Sequence, residues 1–195
     1  MSRLYLIRHG EAAPAGILAG CADFALTPAG RLQVEMRRDE LAAVTFSAAW
    51  ASPLRRARQT ARIILGGNPA NTSVVQVVPA LREIALGEWE GKDRELIRAA
   101  WPREWEARGT DPANVAPPGG ESFAMLAERV LPAFADICRE AGHHACSLLA
   151  AHQAVNRVII AAATGLPPGN LLSIPQALAA VSVFEIRGGA ARLLE

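Results

Sequence analysis

The sequence predicts an α/β three-layer sandwich, a mainly parallel sheet with helices on both faces. Three observations carry this. Short apolar runs alternate with longer helical patterns through most of the chain, the order expected of β–α units. Two of those runs, Leu4 to Ile7 and Cys146 to Ala151, end in histidines, His9 and His152, and the carboxyl ends of buried strands are where such sheets hold their chemistry. Hydrophobic residues make up 51% of 195, ample core for one domain, taken here as 1–195.

In order, Leu4-Tyr5-Leu6-Ile7 runs straight into Arg8-His9-Gly10-Glu11. An imidazole and a guanidinium thus arrive at the end of a strand beside a glycine that permits unusual backbone. Ala12 to Leu26, rich in Ala, Gly and Pro, reads as a loop over that strand end. Thr27-Pro28 gives an N-cap and a first-turn proline for a helix to about Ala43. Phe46 to Ala51 reads as a strand. Ser52-Pro53 repeats the cap signal before a helix over Leu54 to Leu65, where Leu54, Ala57, Ala61 and Ile64 form one apolar side. Arg55, Arg56 and Arg58 crowd the start of this helix, where the macrodipole disfavours cations. Two readings stand: a bound anion resolves the conflict, or solvent screens surface arginines.

Gly66 to Thr72 is read as a turn and Ser73 to Val78 as a strand. Leu81 to Gly91 follows, with acids at Glu83, Glu88 and Glu90; residue type alone does not choose a general acid among them. Asp93 to about Arg108 is read as a helical stretch interrupted by Pro102, with Trp101 and Trp105 on one side for packing or for ligand stacking. Gly109 to Gly120 is a Pro/Gly loop, and the segment from about 89 to 120 is expected to form a small cap. Glu121 to Ala141 is the longest helix, bent by Pro132. After the strand ending at Ala151, a helix over Ala154 to Thr164 closes on Gly165. Two strands, Ala179 to Ile186 and Ala191 to Leu194, flank Gly188-Gly189.

Composition excludes several classes. A net charge of +1, from 20 basic and 19 acidic residues, offers no broad field for nucleic acid or an anionic membrane. The longest apolar run, Val158 to Ala163, is far short of the ~18 residues of a membrane span, and no signal peptide precedes Arg8. Cys21, Cys138 and Cys146 form no C-x-x-C pair and suit a reducing compartment, so a cytoplasmic location is expected. His143-His144 lack zinc-site spacing and read as a solvated helix end, and no phosphate-loop motif occurs. No cofactor and no metal are expected, and nothing in the sequence specifies an oligomeric state.

If the sheet is doubly wound, two strand-end histidines, Arg8, an arginine-rich helix start and a glutamate converge at one edge, a setting suited to a phosphate group. The segments Arg8-His9-Gly10-Glu11, Leu26-Thr-Pro-Ala-Gly30 with Gln33, Ser52-Pro-Leu-Arg-Arg-Ala-Arg-Gln-Thr-Ala61, Leu81-Arg-Glu83 with Gly87-Glu-Trp-Glu-Gly91, Gly119-Gly-Glu-Ser122 and Ala151-His152 occur in that order over nearly the whole chain. In these the chain resembles the histidine phosphatase superfamily, in its phosphoglycerate-mutase-like branch. The resemblance implies His9 as the nucleophile that becomes phosphohistidine through Nε2, Arg8 and Arg56 as phosphate ligands, and Arg55 as a neighbour only. It implies His152 as the second histidine, stabilising the transferring phosphoryl group, and Glu83 as the proton donor, without a metal. Departures are Ala12 and Ala13-Pro14-Ala15, where relatives carry Thr and Asn, and Gln153, where Gly is common. Gln153 is similar to the choice in α-ribazole phosphatases. The implied activity is a phosphomonoesterase acting on a small phosphorylated metabolite, α-ribazole 5′-phosphate first, with Gln153 as a substrate contact. A bisphosphoglycerate-dependent phosphoglycerate mutase and a broad-specificity phosphatase are the alternatives.

Overall fold

The side chains of strand β1 (Ser2–Arg8) alternate between two buried environments. Leu4 and Leu6 enter one apolar cluster and Tyr5 and Ile7 another. A strand buried on both faces has to lie inside a sheet covered on both sides. The structure, a computed structural model, describes residues 1–71 and 73–194 and has that arrangement. Thr72, the last residue of the expected turn, lies outside the described residues.

Six strands form the main sheet in the order β4-β3-β6-β1-β7-β8. They are β3 (Ala48–Ala51), β4 (Val75–Val77), β6 (Cys146–Ala151), β7 (Val181–Arg187) and β8 (Ala190–Leu193) around β1. β4, β3, β6 and β1 pair in parallel, and β7 is antiparallel to β1 and β8. Helices α1 (Pro28–Glu40) and α2 (Arg55–Leu65) cover one face, where Val34, Ala61 and Ile64 meet Tyr5, Ile7 and Ala49. Helices α5 (Phe123–Ala141) and α6 (Gln153–Thr164) cover the other, with Leu126, Val130 and Ile159 against Leu4, Leu6 and Trp50. The predicted three-layer sandwich is what forms.

Local signals explain most boundaries. Thr27 caps α1 by accepting from the Gly30 amide at 3.0 Å, and Ser122 caps α5 through the Met125 amide at 3.3 Å. Gly165 closes α6 in the left-handed region at φ 69°. α5 runs through Pro132 without a break.

Several expectations are corrected. The stretch from 93 to 108 is two helices, α3 (Arg94–Ala100) and α4 (Pro102–Thr110), with Trp101 between them at φ −129°, ψ 56°. Pro102 disfavours a helical residue before it, so the chain turns there and Trp101 and Trp105 do not share one continuous helix. The loop over the first strand end contains a two-residue strand, β2 (Ile17–Leu18), paired with β5 (Lys92–Asp93). That ribbon ties the loop to the segment expected as a cap. Ser52 does not cap α2: the N-cap is Leu54, without a side-chain bond.

One glycine contact sets how α1 meets the strand end. A Cβ on Gly30 would lie 2.0 Å from the Glu11 carbonyl oxygen, and one on Gly10 2.3 Å from the Gly30 oxygen. Only two glycines allow the helix start to press on the backbone that follows His9. Gly30→Ala is therefore expected to destabilise the protein by ~1–3 kcal/mol, read as a lowered urea midpoint with an unchanged m-value.

Candidate active site

Parallel pairing places the two histidines. β1 and β6 are in register with Arg8 opposite Ala151, so the next residues, His9 and His152, leave adjacent strands side by side. Their ring centroids are 5.1 Å apart. The His9 backbone is pinned on both sides, its amide to Ala151 O at 3.2 Å and its carbonyl to the Ala179 amide at 3.3 Å.

The imidazole of His9 is 8% exposed, and its Nδ1 lies 2.6 Å from the Gly10 carbonyl. A carbonyl only accepts, so Nδ1 carries the proton and Nε2 presents its lone pair. Arg56 Nε donates to that Nε2 at 3.2 Å. Burial first, then the charges of Arg56 and Arg8, depress the His9 pKa to about 3. The ring is thus a neutral base at neutral pH.

Arg56 is 1% exposed, and its Nη1 and Nη2 donate to Ala22 O and Gly20 O, both at 2.6 Å. Arg55 is exposed, and its amide donates to Asp23 Oδ1 at 2.6 Å. Asp23 thus supplies from the loop the acid that the start of α2 lacks. The two arginines separate as expected: Arg56 turns into the site and Arg55 away from it. Arg8 is half-buried and donates from Nη1 to the Gln176 carbonyl, while its Nε has no partner among the described residues. Asn156 Nδ2 holds the Gln176 side chain at 2.9 Å.

His152 is fully buried, and its Nε2 lies 2.6 Å from Ser52 Oγ. Ser52 Oγ also accepts from the Leu54 amide at 3.3 Å, and it engages the ring at Nε2 and leaves Nδ1 free of it. That Nδ1 has no partner among the described residues. Desolvation, followed by the charges of His9, Arg56 and Arg8, holds its pKa well below the ordinary value. Ser52, read from sequence as a helix cap, is instead the hydroxyl that orients this ring. Nothing local in the sequence pointed to it, because its partner is 100 residues away.

Of the three acids left open by sequence, the fold separates all three. Glu83 is buried, with Oε1 accepting from the Ile84 amide at 2.9 Å and Oε2 from the Ala154 amide at 3.4 Å. Burial raises its pKa, against the opposing pull of the Ile84 amide and Arg56. Glu88 is exposed. Glu90 braces the loop, accepting from the amides of Cys21, Ala22 and Leu86, each at 2.9 Å.

His9, Arg8, Arg56, Glu83 and Gln153 line one cleft of about 710 Å³, and Trp89, Trp105, Arg108 and Phe123 form part of its wall. His152 lies behind this lining. Trp105 packs on Trp89 with centroids 5.6 Å apart, whereas Trp101 sits under Lys92 Nζ at 4.8 Å and is not in the wall. Among the described residues no cluster of three His, Cys, Asp or Glu suits a metal ion, and no helix is long and apolar enough to cross a membrane. The arrangement offers a neutral imidazole lone pair, guanidinium groups beside it, and a carboxyl whose pKa burial raises.

A family model for the histidine phosphatase superfamily (branch 1) matches residues 4–195. The chain belongs to this superfamily. It is an enzyme of phosphatase type with the phosphoglycerate-mutase-like α/β fold. It is 33% identical over 174 residues to an adenosylcobalamin/α-ribazole phosphatase of Escherichia coli, covering 85% of this chain and 80% of that one. A 2,3-bisphosphoglycerate-dependent phosphoglycerate mutase of Parvibaculum lavamentivorans is 30% identical over 196 residues, covering 97% and 93%. The crystal structure of the α-ribazole phosphatase from Shigella flexneri superposes with a TM-score of 0.87 at 29% identity, over 98% of this chain and 94% of that one.

The depressed His9 pKa has a consequence for stability. Unfolded, the imidazole takes its proton near pH 6.5; folded, it holds out to about 3. Between these values the unfolded state binds more protons, so stability falls as pH falls, by up to ~1.4 kcal/mol per pH unit from this group. The raised pKa of Glu83 works in the opposite sense, because the folded carboxyl takes its proton first. Urea unfolding of the wild type and His9→Asn at about pH 7, 6 and 5 isolates the imidazole. The loss of stability on acidification is expected to be shallower in the variant, and identical slopes would contradict a buried neutral His9.

Proposed function

We propose that this chain is a metal-independent phosphomonoesterase that works through a phosphohistidine on His9. The observation that carries the reading is the His9 ring: its proton is committed to Gly10 O, and its Nε2 faces Arg56 in the cleft that holds Glu83. In the first step the Nε2 lone pair attacks phosphorus and the ester P–O bond breaks. Glu83 delivers its proton to the departing alcohol oxygen and becomes a carboxylate. In the second step that carboxylate takes a proton from water, the water oxygen attacks phosphorus, and the P–Nε2 bond breaks to release inorganic phosphate. Arg8, Arg56 and His152 donate to the phosphoryl oxygens as charge shifts among them. For Arg56 this means releasing His9 Nε2, whose lone pair its Nε–H occupies, and turning that donor to the phosphoryl group.

For the alcohol half we propose α-ribazole 5′-phosphate, with Gln153 in the cleft wall as a contact. Support comes from the similarity to the two α-ribazole phosphatases. Residues 1–195 are read as one domain, with the β5, α3 and α4 segment as its cap over the cleft. The free thiols of Cys21, Cys138 and Cys146 support a reducing, cytoplasmic setting. A mutase reading is favoured by the mutase relative and by Arg94, Arg108 and Arg157, which add cations to the cleft wall.

Three outcomes test the chemistry. His9→Asn is expected to abolish turnover and to remove the phosphoprotein trapped by rapid quenching, with chelator without effect on the wild type. kcat/KM is expected to fall as pH rises through the raised Glu83 pKa, since the acid form is the donor. Glu83→Gln is expected to lower turnover of alkyl esters by ~10²–10⁴. For the substrate, kcat/KM for α-ribazole 5′-phosphate is to be compared with 3-phosphoglycerate and sugar phosphates. A preference of ~100-fold, ~2.7 kcal/mol of transition-state stabilisation, supports the assignment, and a flat profile indicates a broad-specificity enzyme.

A further inference from the structure

The proposed proton donor sits on irregular backbone. Residues 82–86 belong to no helix or strand, yet a proton donor has to be held within about 0.5 Å of its working geometry. What holds this segment is Arg129, a residue of α5. Its Nη1 donates to Ala80 O at 2.6 Å and Arg82 O at 2.7 Å, and its Nη2 to Glu83 O at 3.0 Å. The remaining donors form a fork with Glu121, Nε to Oε1 at 2.9 Å and Nη2 to Oε2 at 2.8 Å. All five N–H donors of the guanidinium are thereby used, three of them on carbonyls from 80 to 83.

Glu121 completes the clamp from the other side. Its Oε2 accepts from the Ala85 amide at 2.8 Å, and its own amide donates to Ala85 O at 2.8 Å. The backbone on both sides of Glu83 is thus tied to one ion pair. Arg129 is rooted in the longest helix, whose Leu126 and Val130 are fully buried in the core, and Glu121 directly precedes its N-cap Ser122. Arg129 keeps Glu121 ionised, below its ordinary pKa. The arginines whose charge bears on the Glu83 carboxyl are Arg56, Arg8, Arg108 and Arg157, whereas the charge of Arg129 reaches His152.

We propose that Arg129, paired with Glu121, is a positioning residue that sets the Glu83 carboxyl against the leaving oxygen. This rests on Glu83 being the proton donor of a phosphomonoesterase. Such a role has a signature that a purely structural one lacks. An alkyl leaving group needs the proton, whereas nitrophenolate departs largely without it.

The experiment measures kcat/KM of the full chain for glycerol 1-phosphate and p-nitrophenyl phosphate in the wild type, Glu83→Gln, Arg129→Met and the double variant. Arg129→Met is expected to lose roughly tenfold or more on glycerol phosphate than it loses on the nitrophenyl ester, reproducing the skew of Glu83→Gln. The double variant is expected to be no worse than Glu83→Gln alone, because a misplaced donor cannot be lost twice. Equal losses on both esters, or additive losses in the double variant, would overturn the proposal. If Arg129→Met does not fold, Glu121→Gln, which leaves one acceptor where the fork and the Ala85 amide use two, carries the same comparison: a smaller skew toward glycerol phosphate supports the proposal and none overturns it. If Glu83→Gln itself lowers both esters alike, the proton-donor reading falls and takes the proposal with it; wild-type protein inert to both esters and to α-ribazole 5′-phosphate fails at the phosphomonoesterase reading instead.

Discussion

The pairing of β1 with β6, with Arg8 opposite Ala151, is the constraint on which the site depends. Side chains alternate along a strand, so a slip of one residue would exchange Leu4 and Leu6 for Tyr5 and Ile7 against α5 and α6. The same slip would move His9 out of line with His152. Core packing therefore enforces the register, and the register delivers two imidazoles 5.1 Å apart. Catalytic geometry here is a by-product of burying both faces of a strand.

Desolvation does the rest of the tuning. Both histidines lie among arginines in a region with little water, and each effect favours the neutral ring. Glu83 shares the environment and moves the other way, since burial penalises its charged form. One cause thus moves the imidazole pKa down and the carboxyl pKa up, because it acts on groups of opposite charge type. Backbone carbonyls then assign the protons: Gly10 O takes the Nδ1–H of His9, and Ser52 fixes the ring of His152.

The irregular segments are organised by side chains reaching across the fold. Glu90 holds the amides of Cys21, Ala22 and Leu86, and Arg129 with Glu121 holds the carbonyls and amide around Glu83. Both braces bind loops to loops or to a helix, and both place an element of the cleft wall. The backbone groups they satisfy would otherwise be unpaired polar atoms in a partly buried site.

Much was legible in the sequence because it depends on local physics. Apolar alternation, the Thr27 and Ser122 caps and the closure at Gly165 are decided within a few residues, and they sufficed for the layers. The strand-end histidines and the Arg55–Arg56 pair were visible as residue types in motif order. The two-residue β2–β5 ribbon was less so, since a strand of two residues has no period to read; Pro102 marked the break at Trp101, but which of the two indoles enters the cleft wall was left to packing. By itself the sequence determined the element order, the core faces and the set of groups available for chemistry. The tertiary structure alone decided that Ser52 turns to His152 and not to its own helix, that Glu83 and not Glu88 or Glu90 enters the cleft, and that Arg129 spans 46 residues to hold Glu83. Each of these is a contact between distant segments, and its energy exists only when the sheet has brought them together.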